Sequence, residues 1–400
     1  MEAKLEFKND FFLNSKIVTF ENMNHYHYIF TGNGLSALLT LFEMIKTGRF
    51  SDKKILLIDS DSKNKNDRTW CFWDSEKLFD EIIFKKWQHA WFKNENFTNQ
   101  LNLNPYEYKM IRSTDFYKLI FDEIAKHPNI EILKEEVVDF SELGNHCVVK
   151  IKTKSFTCNK VFNSIYNPEI VKSQSKFPLV QQHFIGWFIK SKEAVFTENC
   201  PTFMDFSVEQ KGNTRFMYVL PTSPNEALFE YTLFSKDLLS KQEYETEIEN
   251  YIQKLGITAY EIIEKEQGNI PMTCFPFWKN NSKNITNIGS AGGWSKASTG
   301  YTFKNSVKKS KELVQFLRTE SDFTKFHKTN KFWFYDLLLI DILYQTNQHG
   351  SAIFSSMFKS GKAALIFKFL DEETSFWEDL QVIWMCPKGF FIKAFLKRLF

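Results

Sequence analysis

The 400-residue sequence is poor in cysteine. Its six cysteines are Cys71, Cys147, Cys158, Cys200, Cys274 and Cys386. No two of them form a C-x-x-C pair, which disfavours a zinc finger and a thioredoxin-type site. A disulfide framework is also unusual in so long a chain. We therefore expect no metal site, no disulfide framework and a reducing compartment.

Long apolar runs and an excess of one charge are missing as well. No run of about 20 apolar residues is present, which predicts no transmembrane helix. Residues Met1 to Asn24 mix charges with short apolar runs, so we also expect no secretory signal. The 51 basic and 48 acidic side chains leave a formal net charge of +3. That balance disfavours a dedicated nucleic-acid-binding protein.

Aromatic residues, in contrast, are abundant. They make up 17% of the chain, and 43 of them are phenylalanine. Because lysine and asparagine are common too, a biased base composition is one explanation. The other is an aromatic surface that contacts a large apolar molecule. Composition alone leaves both explanations open.

The first ordered segment is typical of a strand–helix–strand unit that binds a nucleotide. A strand at 25–31 is followed by the motif Gly32-x-Gly34-x-x-Ala37, an apolar helix and a second strand that ends at Asp59. Gly32 permits the tight turn, Gly34 lets the backbone approach a pyrophosphate, and Ala37 allows the helix to pack closely. A carboxylate at Asp59 suits the ribose hydroxyls. An accidental glycine turn is the alternative.

A second glycine cluster follows the short strand at 285–288. Its candidate cofactor-binding residues are Gly289, Gly292, Gly293, Thr299 and Gly300. Two glycine-rich strand ends suit a long dinucleotide, with its flavin end near this second cluster. An ordinary glycine-rich loop remains the alternative.

The rest of the chain alternates predicted helices and strands. We expect a helix at 113–126, three short strands within 130–162, a mostly antiparallel sheet at 181–235 and a helix at 241–255. Helices dominate from residue 302 onward.

Glu230 is the main candidate for acid chemistry. In the predicted strand it shares a face with Leu228 and Thr232. An apolar setting raises the pKa of a carboxyl group, which can then stay protonated and act as a general acid. A solvated glutamate on the strand face is the alternative, and Asp205 carries the same ambiguity.

The order of these motifs resembles the lycopene cyclases of carotenoid-making bacteria and, more distantly, of plants. The matching stretches are 32–37, 68–74, 182–187, 203–206, 215–221, 228–232, 270–272, 289–293, 299–301, 337–339, 353–354 and 369–375. They cover nearly the whole chain after residue 25. Two positions depart from the family pattern: Tyr231 stands where a second acid is usual, and Lys296–Ser298 lacks a frequent proline.

The resemblance implies an α/β flavoprotein fold of the p-hydroxybenzoate hydroxylase type. This means a Rossmann-type FAD-binding domain at 25–180 that continues at 270–320, an antiparallel-sheet substrate domain at 181–269 and a helical region at 321–400. It implies that the linear ends of lycopene are cyclised to β rings, through γ-carotene to β-carotene. Reduced FAD is required without net redox change, with NAD(P)H as its reductant, and the family's essential acid maps to Glu230.

The chemistry passes through carbocations, which need a dry pocket and aromatic faces. The candidate pocket residues are Trp70, Phe72, Trp73, Trp187 and Tyr218, and core packing is the alternative for each. A hydrocarbon substrate also implies a membrane surface. The basic and aromatic stretch 388–400 is a candidate amphipathic helix for the cytoplasmic face, or a helix docked on the core. A redox flavoprotein of the same fold and a non-catalytic nucleotide- or pigment-binding protein are the competing functions.

Overall fold

The computed structural model describes residues 23–399, and the expectation about a secretory signal lies almost entirely outside them. The first sheet has the strand order β8-β2-β1-β11-β10-β9, with β17 beside the end of β11. Its strands are β1 (His25–Thr31), β2 (Ile55–Asp59), β8 (Ile130–Lys134), β9 (Val137–Leu143), β10 (His146–Ile151), β11 (Ser155–Asn163) and β17 (Ile285–Asn287). Strands β8, β2, β1, β11 and β17 run parallel, whereas β9 and β10 are antiparallel.

The second sheet has the order β16-β12-β15-β14-β13-β5-β6. Its strands are β5 (His89–Lys93), β6 (Thr98–Asn102), β12 (Val180–Ser191), β13 (Thr202–Asp205), β14 (Thr214–Pro221), β15 (Glu226–Ser235) and β16 (Tyr260–Met272). All neighbours are antiparallel except β13 and β5. A small third sheet joins β3 (Thr69–Asp74), β7 (Glu107–Arg112) and β4 (Lys85–Trp87).

The helices connect and cover these sheets. They are α1 (Leu35–Lys46), α2 (Ser113–Ile124), α3 (Glu169–Lys172), α4 (Lys241–Lys254), α5 (Phe303–Phe316), α6 (Lys331–Gln345), α7 (Gly350–Lys359), α8 (Ala363–Leu370), α9 (Phe376–Met385) and α10 (Lys388–Leu399). Helix α4 packs on one face of the second sheet, and helices α6 to α8 cover the other. No helix among residues 23–399 is long and apolar enough to cross a bilayer.

Alternation along β15 explains why the second sheet has two different faces. Ala227, Phe229 and Leu233 pack with the helix α4 side. Leu228 and Phe234, at even positions, contact the cluster under helices α6 to α8. Because side chains on a strand alternate, Glu230 is carried on the same face as Leu228. Both faces are buried, so the strand is apolar almost throughout.

Most of the predicted elements are confirmed, with local differences. The helices expected at 113–126 and 241–255 are α2 and α4, and Ser240 caps α4 in a reciprocal capping box. Four strands, rather than three, occupy the region 130–163. Strand β16 was not predicted, because its sequence is polar and alternates poorly. The second sheet also draws β5 and β6 from residues 89–102, and the proposed domain boundaries stay a prediction.

Candidate active site

A cavity of about 440 Å³ lies where the first parallel strands end and helix α1 begins. Gly32, Gly34, Asp59 and Gly289 all line it. Gly34 is the N-cap of α1 and offers no side-chain cap, so the first N–H groups of the helix are free for a ligand. This arrangement fits the pyrophosphate of a dinucleotide, because a helix N-terminus attracts anions.

The two glycines of the first motif differ in what surrounds them. Gly32 has φ +92°, and a Cβ atom there would collide with the Ser164 hydroxyl, so the fold itself requires glycine. A Cβ atom at Gly34 would meet nothing within 4 Å. The space beside Gly34 therefore belongs to the cavity. Ala37, which is fully buried, packs α1 into the core as its small size predicts.

Asp59 holds the glycine loop as well as facing the cavity. Its Oδ2 accepts a hydrogen bond from the backbone N–H of Asn33 at 2.6 Å, and its Oδ1 accepts one from Asp61 at 2.8 Å. The Lys63 ammonium group lies 3.9 Å from Oδ2. A carboxylate oxygen has more than one lone pair, so Asp59 can accept further bonds from hydroxyl groups.

The glycines of the second cluster have two different roles: one lines the smaller cavity, and the others form a turn. Gly289 lines the smaller cavity and approaches Ser36 of α1 so closely that a Cβ atom would lie 3.1 Å from its hydroxyl oxygen. Gly292 and Gly293 belong to the turn behind it and line neither cavity. Gly293 ends this turn in the left-handed region at φ +69°. The cluster thus places Gly289 beside the smaller cavity, whereas Gly292 and Gly293 form the turn.

A larger cavity of about 720 Å³ adjoins the first one. The two share Gly34, Leu35 and Ser290 in their walls. Thr299 and Gly300 lie in the wall of the larger cavity, as does Gln182 of β12. The Thr299 hydroxyl and the Gln182 side-chain oxygen are buried without a hydrogen-bond partner among the described residues. Such unpaired polar atoms fit a polar ring system lying between the two cavities.

A row of four residues crosses the floor of the larger cavity. Strand pairing places Tyr218 of β14 opposite Glu230, Glu230 opposite Gly186 of β12, and Gly186 opposite Glu266 of β16. Residues paired across neighbouring strands share a face, so both carboxyl groups project into the cavity. Tyr218, Glu230 and Glu266 all line it.

Glu230 is buried at 8% exposure, and its Oε1 accepts a hydrogen bond from the Thr232 hydroxyl at 2.5 Å. Burial, together with the negative charge of Glu266, raises the pKa of Glu230 well above its usual range. The Glu230 carboxyl group is therefore protonated far more readily than an exposed glutamate. This is the state that the sequence analysis required of a general acid.

Glu266 was missed by the sequence analysis. It is buried, and its Oε2 accepts a hydrogen bond from the Thr69 hydroxyl at 2.7 Å. Burial also raises the pKa of Glu266, against the opposing effect of Thr69. The sequence around it is polar and charged, so no apolar strand marks Glu266 as it marks Glu230. One signal was available in the sequence. Glu266, Gly268 and Ile270 are spaced by two residues, so in a strand Glu266 lies on the same face as Ile270, the first residue of the matched stretch 270–272.

Hydroxyl groups of three tyrosines meet beside the two carboxyl groups. The Tyr108 hydroxyl lies 2.5 Å from that of Tyr218 and 3.3 Å from that of Tyr301. Cys71 borders the same part of the cavity, and burial raises the pKa of its thiol to about 12. The thiol therefore stays neutral, and burial likewise raises the pKa of the three phenols, so these four side chains place no negative charge at this end of the cavity.

Of the five aromatic residues predicted for the pocket, only Trp70 and Tyr218 line the larger cavity. Phe72 stacks on Phe303 with centroids 4.6 Å apart, within the hydrophobic cluster that also contains Leu38 of α1. Trp73 stacks on Phe367 at 4.5 Å, and its indole N–H donates to Asp371 at 2.9 Å. For Phe72 and Trp73 the expectation is corrected, because strand β3 points both rings into packed cores.

Trp187 and Asp205 lie on the opposite face of the second sheet. Trp187 alternates with Gly186 and therefore packs in the cluster under helix α4. Asp205 accepts hydrogen bonds from the Tyr251 hydroxyl at 2.7 Å and from the backbone N–H of Ser207 at 2.8 Å. Neither residue lines the cavity, so the expectation of a pocket role for Trp187 and a catalytic role for Asp205 is corrected.

The chain is similar to known proteins both in sequence and in fold. A curated lycopene beta-cyclase from Pantoea ananas is 23% identical over 296 residues, which cover 71% of this chain and 72% of that protein. A geranylgeranyl bacteriochlorophyll reductase-like protein from Thermoplasma acidophilum has a TM-score of 0.60 at 12% identity, covering 95% of this chain and all of that one. A p-nitrophenol 4-monooxygenase from Pseudomonas putida has a TM-score of 0.57 at 13% identity, with 93% and 98% covered.

The fold is therefore the Rossmann-type α/β fold of the p-hydroxybenzoate hydroxylase type, with an antiparallel second sheet and a helical C-terminal region. The structural likeness at such low identity establishes the fold alone. The sequence comparison also establishes the family. The model of the family described as lycopene cyclase protein matches residues 29–396. This match spans both cavities and the row of Tyr218, Glu230, Gly186 and Glu266, and the chain belongs to the lycopene cyclase protein family.

Proposed function

We propose that this protein cyclises the linear ends of lycopene to β rings, passing through γ-carotene to β-carotene. The observation that carries the proposal is Glu230, a buried carboxyl group with a raised pKa at the floor of a large apolar cavity. Protonation of an alkene requires an acid that is still protonated in a dry site, and this setting supplies one.

The walls of the cavity suit a carbocation. Trp70, Tyr218 and Tyr301 present aromatic side chains there, and apolar residues of helices α6 to α8 exclude water. A cation over an aromatic face gains up to about 2 kcal/mol when it is desolvated. The Glu230 carboxyl gives its proton to the terminal double bond, a neighbouring double bond closes the ring, and a base removes one ring proton.

FAD is the cofactor that the paired cavities and the fold support. The N-terminus of α1 at Gly34 would hold its pyrophosphate, and Asp59 would bind the ribose hydroxyls. The segment at Thr299 and Gly300 would border the flavin ring in the larger cavity. When bound in its reduced form, produced by NAD(P)H, the flavin supplies negative charge near the cation without net redox change.

A membrane surface is the proposed source of the hydrocarbon. Helix α9 exposes Trp377 at 73% and Trp384 at 74%, and helix α10 exposes Ile392 at 57%. Ile383 of α9 and Ile392 and Phe395 of α10 are exposed and also line the larger cavity, so the apolar surface leads into it. This continuity gives a substrate a path from a bilayer to the cavity.

The charges on these two helices favour an anionic bilayer. Lys388, Lys393 and Lys397 of α10 are exposed. The acidic side chains of α9 are already paired, Glu378 with Lys368 at 2.6 Å and Asp379 with Lys331 at 2.6 Å. Arg398 docks α10 onto Asp341 of α6, so one side of α10 contacts the core while the other stays exposed. The docking of this helix leaves its other side available for the membrane contact that we propose; Phe400 lies outside the described residues.

The proposed reaction is tested by expressing the chain in bacteria that accumulate lycopene and chromatographing the extracted pigment. We expect β-carotene from the wild type and a loss of about 10²-fold or more in Glu230→Gln, because an amide is not a general acid. Glu226→Gln, at the start of the same strand, is the matched control and should convert lycopene normally. Full conversion by a folded Glu230→Gln protein contradicts the assignment.

A redox flavoprotein is the second candidate, favoured by the likeness to a reductase-like protein and a monooxygenase. It predicts steady consumption of reduced nicotinamide in proportion to product, whereas cyclisation needs only catalytic amounts. Nicotinamide oxidation measured beside the pigment analysis separates the two functions. Unchanged lycopene together with stoichiometric nicotinamide oxidation favours the redox function.

A further inference from the structure

We propose that Glu266 is the proton partner of Glu230: as a carboxylate it removes the ring proton and returns it to Glu230. This inference rests on the proposed function and assigns the base that the reaction needs. Its basis is the strand register, which puts both carboxyl groups in one row across Gly186. Because Gly186 has no side chain, strand β12 places no side chain between the two glutamates, and the space over Gly186 is shared by Cδ1 of Leu228 and the side chain of Glu266.

The side chain of Glu266 reaches over this gap. A Cβ atom built on Gly186 would lie 3.1 Å from Cγ and 3.4 Å from Oε1 of Glu266. Its other oxygen, Oε2, is held by the Thr69 hydroxyl at 2.7 Å. One oxygen of Glu266 is therefore anchored while the other lies over Gly186, on the way to Glu230. The Glu230 carboxyl is anchored in the same manner by Thr232.

Few charges face this pair. The charged groups that line the cavity with it are Lys63, Asp67, Arg68 and Asp336, and Asp336 is paired with Lys296 at 2.9 Å. The Cys71 thiol, the phenols of Tyr108, Tyr218 and Tyr301, and the Glu264 carboxylate also lie around it. Burial keeps the thiol and the three phenols neutral by raising the pKa of each. Glu264 is paired with Arg112 at 2.7 Å, and Arg68 favours the ionised form of Glu266. Two adjacent carboxyl groups in such a site share one proton, because both cannot ionise cheaply.

The proton path balances over one ring closure. Glu230 gives its proton to the terminal double bond, whose π electrons form the new C–H bond and leave a tertiary cation. The neighbouring double bond attacks this cation, which closes the ring and moves the charge to a ring carbon. The Glu266 carboxylate takes a proton from the adjacent carbon, and the C–H electrons become the ring double bond. Transfer of that proton from Glu266 to Glu230 restores the pair without oxidation or reduction.

The experiment compares the pH dependence of cyclisation in wild type, Glu266→Gln and Glu266→Asp, each with its flavin content and melting temperature measured. Glutamine keeps an acceptor for Thr69 but removes the charge and the base. We expect Glu266→Gln to lose about 10²-fold in rate. The fall of the cyclisation rate at alkaline pH should move to lower pH by about one unit in this variant. Glu230 no longer faces a negative charge, so its pKa falls. Glu266→Asp should recover part of the rate, and its rate should fall at the same alkaline pH as in the wild type.

A purely structural role for Glu266 would lower the rate without moving the alkaline pH at which it falls, and that outcome overturns the proposal. Glu261→Gln, an exposed glutamate on the same strand, is the matched control and should leave rate and profile unchanged. An unaltered rate in Glu266→Gln would overturn the proposal equally.

An infrared titration keeps this test independent of the proposed function. The C=O stretch of a protonated carboxyl group, followed without substrate, should be lost in Glu230→Gln and should titrate at lower pH in Glu266→Gln. If wild type converts no lycopene but this shift is seen, the proposed function fails and the proton-sharing pair stands. If lycopene is converted but the titration is the same with and without Glu266, the inference fails and the function stands.

Discussion

Gly32 and Gly34 are only two residues apart, yet the structure gives them different tasks. Gly32 adopts a positive φ and touches Ser164, so the protein alone accounts for it. Gly34 has open space where a side chain would be, so the described protein atoms do not require glycine there, and a ligand in the adjoining cavity would account for it. The motif Gly32-x-Gly34-x-x-Ala37 by itself predicts that both glycines bind the cofactor. The surroundings of each Cβ position separate them.

This difference leads to a prediction for Gly34→Val. We expect a folded protein with an unchanged melting temperature, because no protein atom lies within 4 Å of the new Cβ. We expect FAD affinity to fall about tenfold or more, because the side chain enters the space for the pyrophosphate. Flavin absorbance after gel filtration in graded FAD measures this, with Gly34→Ala as the smaller step. Full FAD affinity in folded Gly34→Val would show that the pyrophosphate lies elsewhere.

At the scale of elements, three neighbouring strands build the acid site together. Strand β15 carries Glu230, β16 carries Glu266, and β12 between them contributes only Gly186. Glu230 could be identified from the sequence because an apolar strand surrounds it. Its pairing with Glu266 could not, because the two residues are 36 positions apart in the chain and only the strand order brings them into one row across β12.

Gly186→Ala tests this arrangement. The added methyl group would lie 2.9 Å from Cδ1 of Leu228 and 3.1 Å from Cγ of Glu266, so one or both must move. We expect a loss of about 1–3 kcal/mol in the free energy of unfolding, measured by denaturant titration. Cyclisation should fall as well, because the two carboxyl groups are pushed apart. The same methyl group at Gly34 is the control and should cost little stability. A wild-type rate in Gly186→Ala would argue against a close pair.

At the scale of the whole molecule, the last two helices join the surface to the interior. The aromatic excess of the sequence left two explanations open, biased composition and an aromatic surface that contacts a large apolar molecule, and the second stays a prediction. Many phenylalanines, such as Phe72 and Phe92, are simply buried in the cores. The aromatic and aliphatic residues of α9 and α10 are exposed beside the opening of the larger cavity.

The proposed membrane contact predicts the behaviour of the double variant Trp377→Ser, Trp384→Ser. We expect its flotation with anionic phospholipid vesicles to drop strongly, because two exposed indoles are lost from the contact surface. Conversion of lycopene dispersed in detergent should be retained, because neither tryptophan lines the cavity. Val138→Ser with Leu143→Ser removes two exposed apolar residues from β9 and is the matched control. Unchanged flotation of the tryptophan variant would remove α9 from the proposed contact.

The amino-acid sequence by itself determined the strand–helix–strand unit with its glycine loop, the helical C-terminal region and the apolar strand around Glu230. These features depend on local periodicity and on turn residues, which neighbours along the chain specify. The partner of Glu230, the exclusion of Trp187 and Asp205 from the cavity, and the surface that leads into it were decided only by the tertiary structure. Strand order and the facing of each side chain depend on contacts between segments far apart in the chain, and no local pattern contains them.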